Sequence, residues 1–90
     1  MLSIIIPNYN SGSLLEETLD SIFSGQSSLD FEVLVMDNCS SDHPEKILAK
    51  FPHERLHFHS EPDLGVYDAM NKGIIAAKGE WFFFLVAGVL

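Results

Sequence analysis

Four short runs of this chain are hydrophobic almost without interruption, and that continuity narrows the possible folds more than any other feature. Leu2 to Ile6 is nearly all aliphatic and closes at Pro7. Phe31 to Met36 (FEVLVM) closes at Asp37 and Asn38, Leu56 to Ser60 is weaker, and Trp81 to Val86 is rich in aromatic rings. A strand with one wet face alternates apolar and polar residues. Unbroken runs suit strands covered on both faces, as in a parallel sheet with helices above and below.

Helical patterns separate the runs. Ser13 with Glu16 reads as a capping box, followed by the apolar stripe Leu14, Leu15, Leu19, Ile22 and Phe23, with Gly25 as the stop. Asp42 with Glu45 offers a second box, Pro44 suits a first turn, and Ile47, Leu48 and Phe51 form the apolar side. A third helix is expected after Gly65, with Val66, Met70, Ile74 and Ala77 on one face and Gly79 at its end. The alternation β-α-β-α-β-α-β predicts right-handed crossovers and a Rossmann-like parallel α/β sheet of order 3-2-1-4 with helices on both faces. Such a sheet opens a crevice where the strand order reverses, at the carboxyl ends of its strands.

Ninety residues make one small domain, 1–90. Five Lys or Arg against thirteen Asp or Glu give a net charge of −8, which argues against nucleic acid as a partner. The lone Cys39 has no internal disulfide partner and fits a reducing compartment. The opening MLSIII is too short for a signal peptide, and Trp81 to Leu90 holds about half of the roughly 20 apolar residues a spanning helix needs. A cytoplasmic protein without a transmembrane segment is therefore expected.

Three loops leave the sheet at the crevice edge. In the first, Tyr9 presents a flat ring on which a base or sugar could stack, with Asn10 as donor and acceptor; a packing Tyr and a turn Asn explain both equally well. In the second, Asp37 stands at the tip of a buried strand, where such domains place a carboxylate that reads a ribose or base edge, so it could take the imide N–H of uracil. Asp42 reads as a helix cap. In the third, Asp68 and Lys72 are spaced for a surface ion pair, and Asn71 and Gly73 are weak helix formers whose presence calls for another reason. Gly65 suits a backbone conformation closed to other residues.

Sharper motifs are missing. The glycines fall at 12, 25, 65, 73, 79 and 88, so neither a dinucleotide-binding G-x-G-x-x-G nor a P-loop is present. There is no nucleophile elbow and no paired-Cys zinc pattern. His57, His59 and Glu61 alternate along one strand, a conceivable metal face that two histidines alone do not specify.

Taken in order and spacing, SIIIPNYN, VLVMDNCSSD and DLGVYDAMNKGIIAAKGEWFFFL resemble the N-terminal half of family 2 glycosyltransferases, the inverting GT-A type, from Ser3 to about Leu85. GVYDAMNKGI is most similar to the branch acting in bacterial polysaccharide and colanic-acid-like assembly. The resemblance implies a nucleotide-sugar donor, with a UDP-sugar favoured. It implies that Pro7, Tyr9 and Asn10 hold base and ribose, that Asp37 accepts from the base with Asn38 beside it, and that Asp63 and Gly65 flank the nucleotide. Many members carry Arg-Asn where this chain has Met70-Asn71, so Asn71 joins the set and Lys72 is the nearest cation for a diphosphate.

The resemblance also implies Mn²⁺ or Mg²⁺ in a full-length relative, held by an Asp-x-Asp-type motif after the last strand. Here that stretch reads Val86-Ala87-Gly88-Val89-Leu90, with no carboxylate, so no metal ligand and no catalytic base is assigned to this chain. The expectation is an incomplete donor-binding domain, not competent for sugar transfer as these residues stand, peripheral to the inner face of the membrane. The rival is a non-enzymatic module in which two copies pair through the apolar C-terminal strand.

Overall fold

The computed structural model describes residues 1–24, 30–51 and 54–85. The elements follow the order β1 (Leu2–Asn8), α1 (Gly12–Ser24), β2 (Phe31–Asp37), α2 (Pro44–Leu48), β3 (Leu56–Ser60), α3 (Val66–Ala76) and β4 (Trp81–Phe84). All four strands are parallel in the order β3-β2-β1-β4, as the alternation predicts. No helix among the described residues is long and apolar enough to cross a membrane.

The continuous apolar runs are explained by two cores. Ile6, Val33 and Val35 face one side, where Leu15 and Leu19 of α1 and Leu48 of α2 cover them. Ile5, Leu34 and Met36 face the other side, where Ala69 of α3 packs. Successive residues of one strand thus bury on opposite faces, each worth about 1.5–3 kcal/mol when fully removed from water.

Several element boundaries differ from the sequence expectation. The ladder continues past Pro7, because the Asn8 carbonyl accepts the Asn38 N–H at 3.0 Å. It also runs past Met36, because the Asp37 carbonyl accepts the Glu61 N–H at 3.0 Å. Helix α1 begins at Gly12, so Ser13 lies inside it, and Glu16 pairs with Lys50 at 2.9 Å. Asp42 does cap a helix, but it is α1 of the neighbouring loop, where its Oδ2 accepts the Gly12 N–H at 2.9 Å. The cap of α2 is His43, in the left-handed region at φ 58° and with no side-chain cap bond. The expected stop at Gly25 and the strand end at Val86 lie outside the described residues.

Helix α3 is rotated relative to the expected face. Ala69 and Gly73 are its buried residues, whereas Val66 and Ile74 remain 43% and 39% exposed. A Cβ at Gly73 would overlap the Ile5 side chain. The helix approaches β1 so closely that only small residues fit between, and this is the reason a poor helix former stands there. Among the described residues strand β4 pairs with β1 alone, and all four of its side chains are exposed, Trp81 by 71%.

At the N-terminal end of the sheet, Glu32 is buried and ties three segments together. It accepts the Ser3 hydroxyl and the Lys78 N–H, each at 2.7 Å, and lies 3.4 Å from His57 Nε2. Burial pushes its carboxyl up, but the hydrogen bonds from Lys78 and Ser3, with His57 nearby, outweigh that and hold it below the ordinary value. A lowered folded-state pKa contributes stability above the unfolded value that fades as pH falls through the folded one. Glu32→Gln is therefore expected to cost about 1–3 kcal/mol at neutral pH. The gap to wild type should narrow below about pH 4.5 in urea titrations followed by circular dichroism.

Candidate functional site

The loops after β1, β2 and β3 leave the same edge of the sheet and enclose a hollow of about 280 Å³ against the start of α3. Of the residues expected at a ligand, Pro7, Tyr9, Asn38, Asp63 and Gly65 line it. Asn10, Asp37, Asn71 and Lys72 do not, and each has another occupation or lies elsewhere.

Asp37 is 1% exposed and its carboxylate is fully engaged. Oδ1 accepts from Asn8 Nδ2 at 2.8 Å and from the Ser40 hydroxyl at 2.5 Å. Oδ2 accepts the Ser40 N–H and the Ser60 hydroxyl, both at 2.9 Å. These donors come from the tip of β1, the second loop and the end of β3, so one carboxylate gathers the three segments that build the hollow. Such saturation leaves no lone pair for a base in this arrangement.

Asn10 joins the first two loops. At φ 46° it occupies a conformation that Asn tolerates better than most residues. Its N–H donates to Ser40 Oγ at 2.9 Å, and its Oδ1 accepts the Ser41 N–H at 2.8 Å. Tyr9, held between these anchored neighbours, is 59% exposed at the rim.

The third loop is tied down from both sides. Asn38 Oδ1 accepts the Asp63 N–H at 3.0 Å, which fixes the orientation of the Asn38 amide. Asp63 Oδ1 accepts the Gly65 N–H at 2.9 Å, leaving the other carboxylate oxygen without an assigned donor. Gly65 has φ 126°, open only to glycine without strain. Lys72 Nζ donates to the Pro62 carbonyl at 2.7 Å and sits 3.4 Å from Asp68 and 3.6 Å from Glu61. The Leu64 N–H, together with Lys72, holds the Asp68 carboxyl below its ordinary value. Lys72 is thus a strap across the base of this loop, and Asn71 stands exposed on α3.

The hollow also takes in Asn8, which the sequence reading passed over. The available signal was register: Asn8 pairs with Asp37 across β1 and β2, which puts an amide beside the carboxylate at the strand tips. The residues present do not fit a divalent cation. Among those described no group of three His, Cys, Asp or Glu side chains converges, His57 turns to Glu32, and near the hollow Asp37 and Asp68 are already occupied.

A parallel α/β sheet with a hollow at its strand tips has the architecture in which open α/β sheets take ligands. Residues 3–87 match the family described as Glycosyl transferase family 2, and the chain belongs to that family. It is 44% identical over 90 residues to a PGL/p-HBAD biosynthesis glycosyltransferase of Mycobacterium bovis, covering 97% of this chain and 35% of the relative. Among solved structures it is similar to residues 1–349 of S. aureus TarS in complex with UDP-GlcNAc, with a TM-score of 0.86, 29% identity, and coverage of 96% of this chain and 26% of that one. It is likewise similar to the mannosyltransferase PcManGT of Pyrobaculum calidifontis in complex with GDP-Man and Mn²⁺, with a TM-score of 0.85, 29% identity, and coverage of 96% and 27%. The chain spans about a third of the length of that mycobacterial relative.

Asp37→Ala would leave four donors, from Asn8, Ser40 and Ser60, without their acceptor. It is expected to destabilise the domain by about 3 kcal/mol, measured as a lowered urea midpoint by circular dichroism.

Proposed function

We propose that the hollow binds the nucleoside part of a nucleotide-sugar donor, a UDP-sugar, used in assembling a cell-surface glycan. The observation that carries this reading is the grouping of an exposed ring, Tyr9, with two side chains of fixed orientation, Asn38 and Asp63, around one hollow at the strand tips. Tyr9 would stack on the base. Asn38, its carbonyl taken, offers amide N–H donors, and the free oxygen of Asp63 can accept a ribose hydroxyl. At about 280 Å³ the space suits a nucleoside better than a whole nucleotide sugar, since pockets for drug-sized ligands run to roughly 300–1,000 Å³.

TarS and PcManGT, each in complex with a nucleotide sugar, support the ligand class. The mycobacterial relative is a glycosyltransferase of PGL/p-HBAD biosynthesis, which supports a biosynthetic role. No transfer step is assigned to these residues alone. Inverting transfer needs a carboxylate to deprotonate the acceptor hydroxyl; Asp37 and Asp68 are engaged within the fold, and the free oxygen of Asp63 is assigned to the ribose. On this reading the domain works in the cytoplasm at the inner face of the membrane, and a metal that serves the diphosphate takes its ligands from outside the described residues.

A second reading draws on β4. Among the described residues its outer edge has no partner strand and its four aromatic side chains are exposed, a surface on which two copies could join their sheets. Sedimentation velocity separates the two readings. A ligand-independent dimer that Phe83→Lys abolishes favours this module, and a monomer that binds UDP favours the first.

Titration calorimetry with UDP tests the first reading directly. Wild type is expected to bind, and Tyr9→Ala to bind roughly tenfold more weakly, the loss of one base-stacking contact. Absence of binding by folded protein at millimolar UDP contradicts it.

A further inference from the structure

A line of polar contacts crosses the sheet at its N-terminal end, from β3 to the segment that enters β4. Ser3 of β1 and Glu32 of β2 are register partners, and both are buried. On one side, His57 of β3 sets its Nε2 3.4 Å from Glu32 Oε1. On the other, Glu32 Oε2 accepts the Lys78 N–H at 2.7 Å, and Ser3 Oγ accepts the Gly79 N–H at 2.9 Å. The Ser3 hydroxyl itself donates to Glu32 Oε2. The Met1 carbonyl takes the Glu80 N–H at 3.0 Å. Three successive N–H groups ahead of β4 are thus tied to β2, to β1 and to the residue before β1. Gly79 is part of the fit, because a Cβ there would overlap Ser3 Oγ.

Beyond those three bonds little holds β4. It pairs with β1 over four residues and, among the described residues, has no second neighbour. Its side chains are already exposed, so detaching it uncovers little further apolar surface. Separating β1 from β2 would instead open both cores. Segments with few buried apolar contacts open at a lower free energy than the whole fold.

We propose that β4 and residues 77–80 form a separately opening unit, latched to the sheet by the Ser3–Glu32 pair. Opening breaks the β4 ladder and the three latch bonds. It leaves β1, β2, β3 and the loops gathered on Asp37 in place, since none of the four bonds to that carboxylate involves β4. Strand β1 is interior in the closed sheet and becomes an edge in the open one. A buried carboxylate is costly unless its lone pairs are filled, and Glu32 has that cost met where a thinly held edge strand needs an anchor. The unit needs no ligand to open or close.

Native-state hydrogen exchange of the full chain, read amide by amide by NMR, tests this. Gly79, Glu80 and Leu85 report on the unit; Val33 and Val35, in a strand paired on both sides, report on the remainder. In wild type the first group is expected to show protection at least about tenfold below the second. Ser3→Ala is expected to cut the protection of Glu80 and Leu85 about fivefold to tenfold, the effect of losing one buried hydrogen-bonding partner. Leu48→Val, in the core that stays closed, is expected to lower Val33 and Val35 roughly fivefold and leave Glu80 and Leu85 unchanged. Equal protection of the two groups in wild type overturns the proposal, and so does Leu48→Val lowering both alike. Unchanged Glu80 and Leu85 in folded Ser3→Ala removes the latch and overturns it too. If Ser3→Ala does not fold, Glu32→Gln reads the same amides with the same expectations.

Discussion

The buried carboxylate of Asp37 is the constraint on which the site depends. Four hydrogen bonds reach it from the tip of β1, the loop after β2 and the end of β3. A carboxylate out of water is tolerated only when its lone pairs are filled, so all of these donors must be in place together. The loops that wall the hollow are thereby held at fixed distances before any ligand arrives. Asn10, Asp42 and Lys72 extend the arrangement outward, tying loop to loop and the third loop to α3. Little of the ordering is left for a ligand to bring about, which favours affinity by lowering the entropy lost on binding.

The opposite end of the sheet repeats the device with Glu32, which accepts from β1 and from the segment leading into β4. The two acids bracket β2: Glu32 stands inside a run that otherwise reads as core, and Asp37 closes it. Between them the small side chains of α3 let the helix lie against Ile5 and bring the start of α3 up to the hollow. Close packing and site construction are here the same fact.

The strand order and the two-sided core were legible because they follow from hydrophobic continuity, which depends on burial alone. Helix starts were less legible, because a capping box is a local pattern and the caps in this fold are not local. Asp42 serves α1 across loops, and α2 begins at a left-handed His43. The rotation of α3 escaped periodicity because Gly73, read as a weak helix former, is the point of contact. Of the residues the family resemblance named, Pro7, Tyr9, Asn38, Asp63 and Gly65 line one hollow. The bond partners of Asp37 and Lys72 were not legible, since charged residues at a crevice edge look alike in sequence whether they meet a ligand or one another.

The central claim is that the strand-tip hollow is the place where a nucleotide sits. Amide chemical-shift mapping by NMR, recorded as UDP is added to the isotopically labelled chain, tests it most directly. The account predicts the largest shifts at the backbone amides of Tyr9, Asn38, Asp63 and Gly65 and at the side-chain amides of Asn8 and Asn38, with the Glu32 end of the sheet unmoved. Shifts centred on β4 or on Glu32 and His57, or none at saturating UDP, would contradict it.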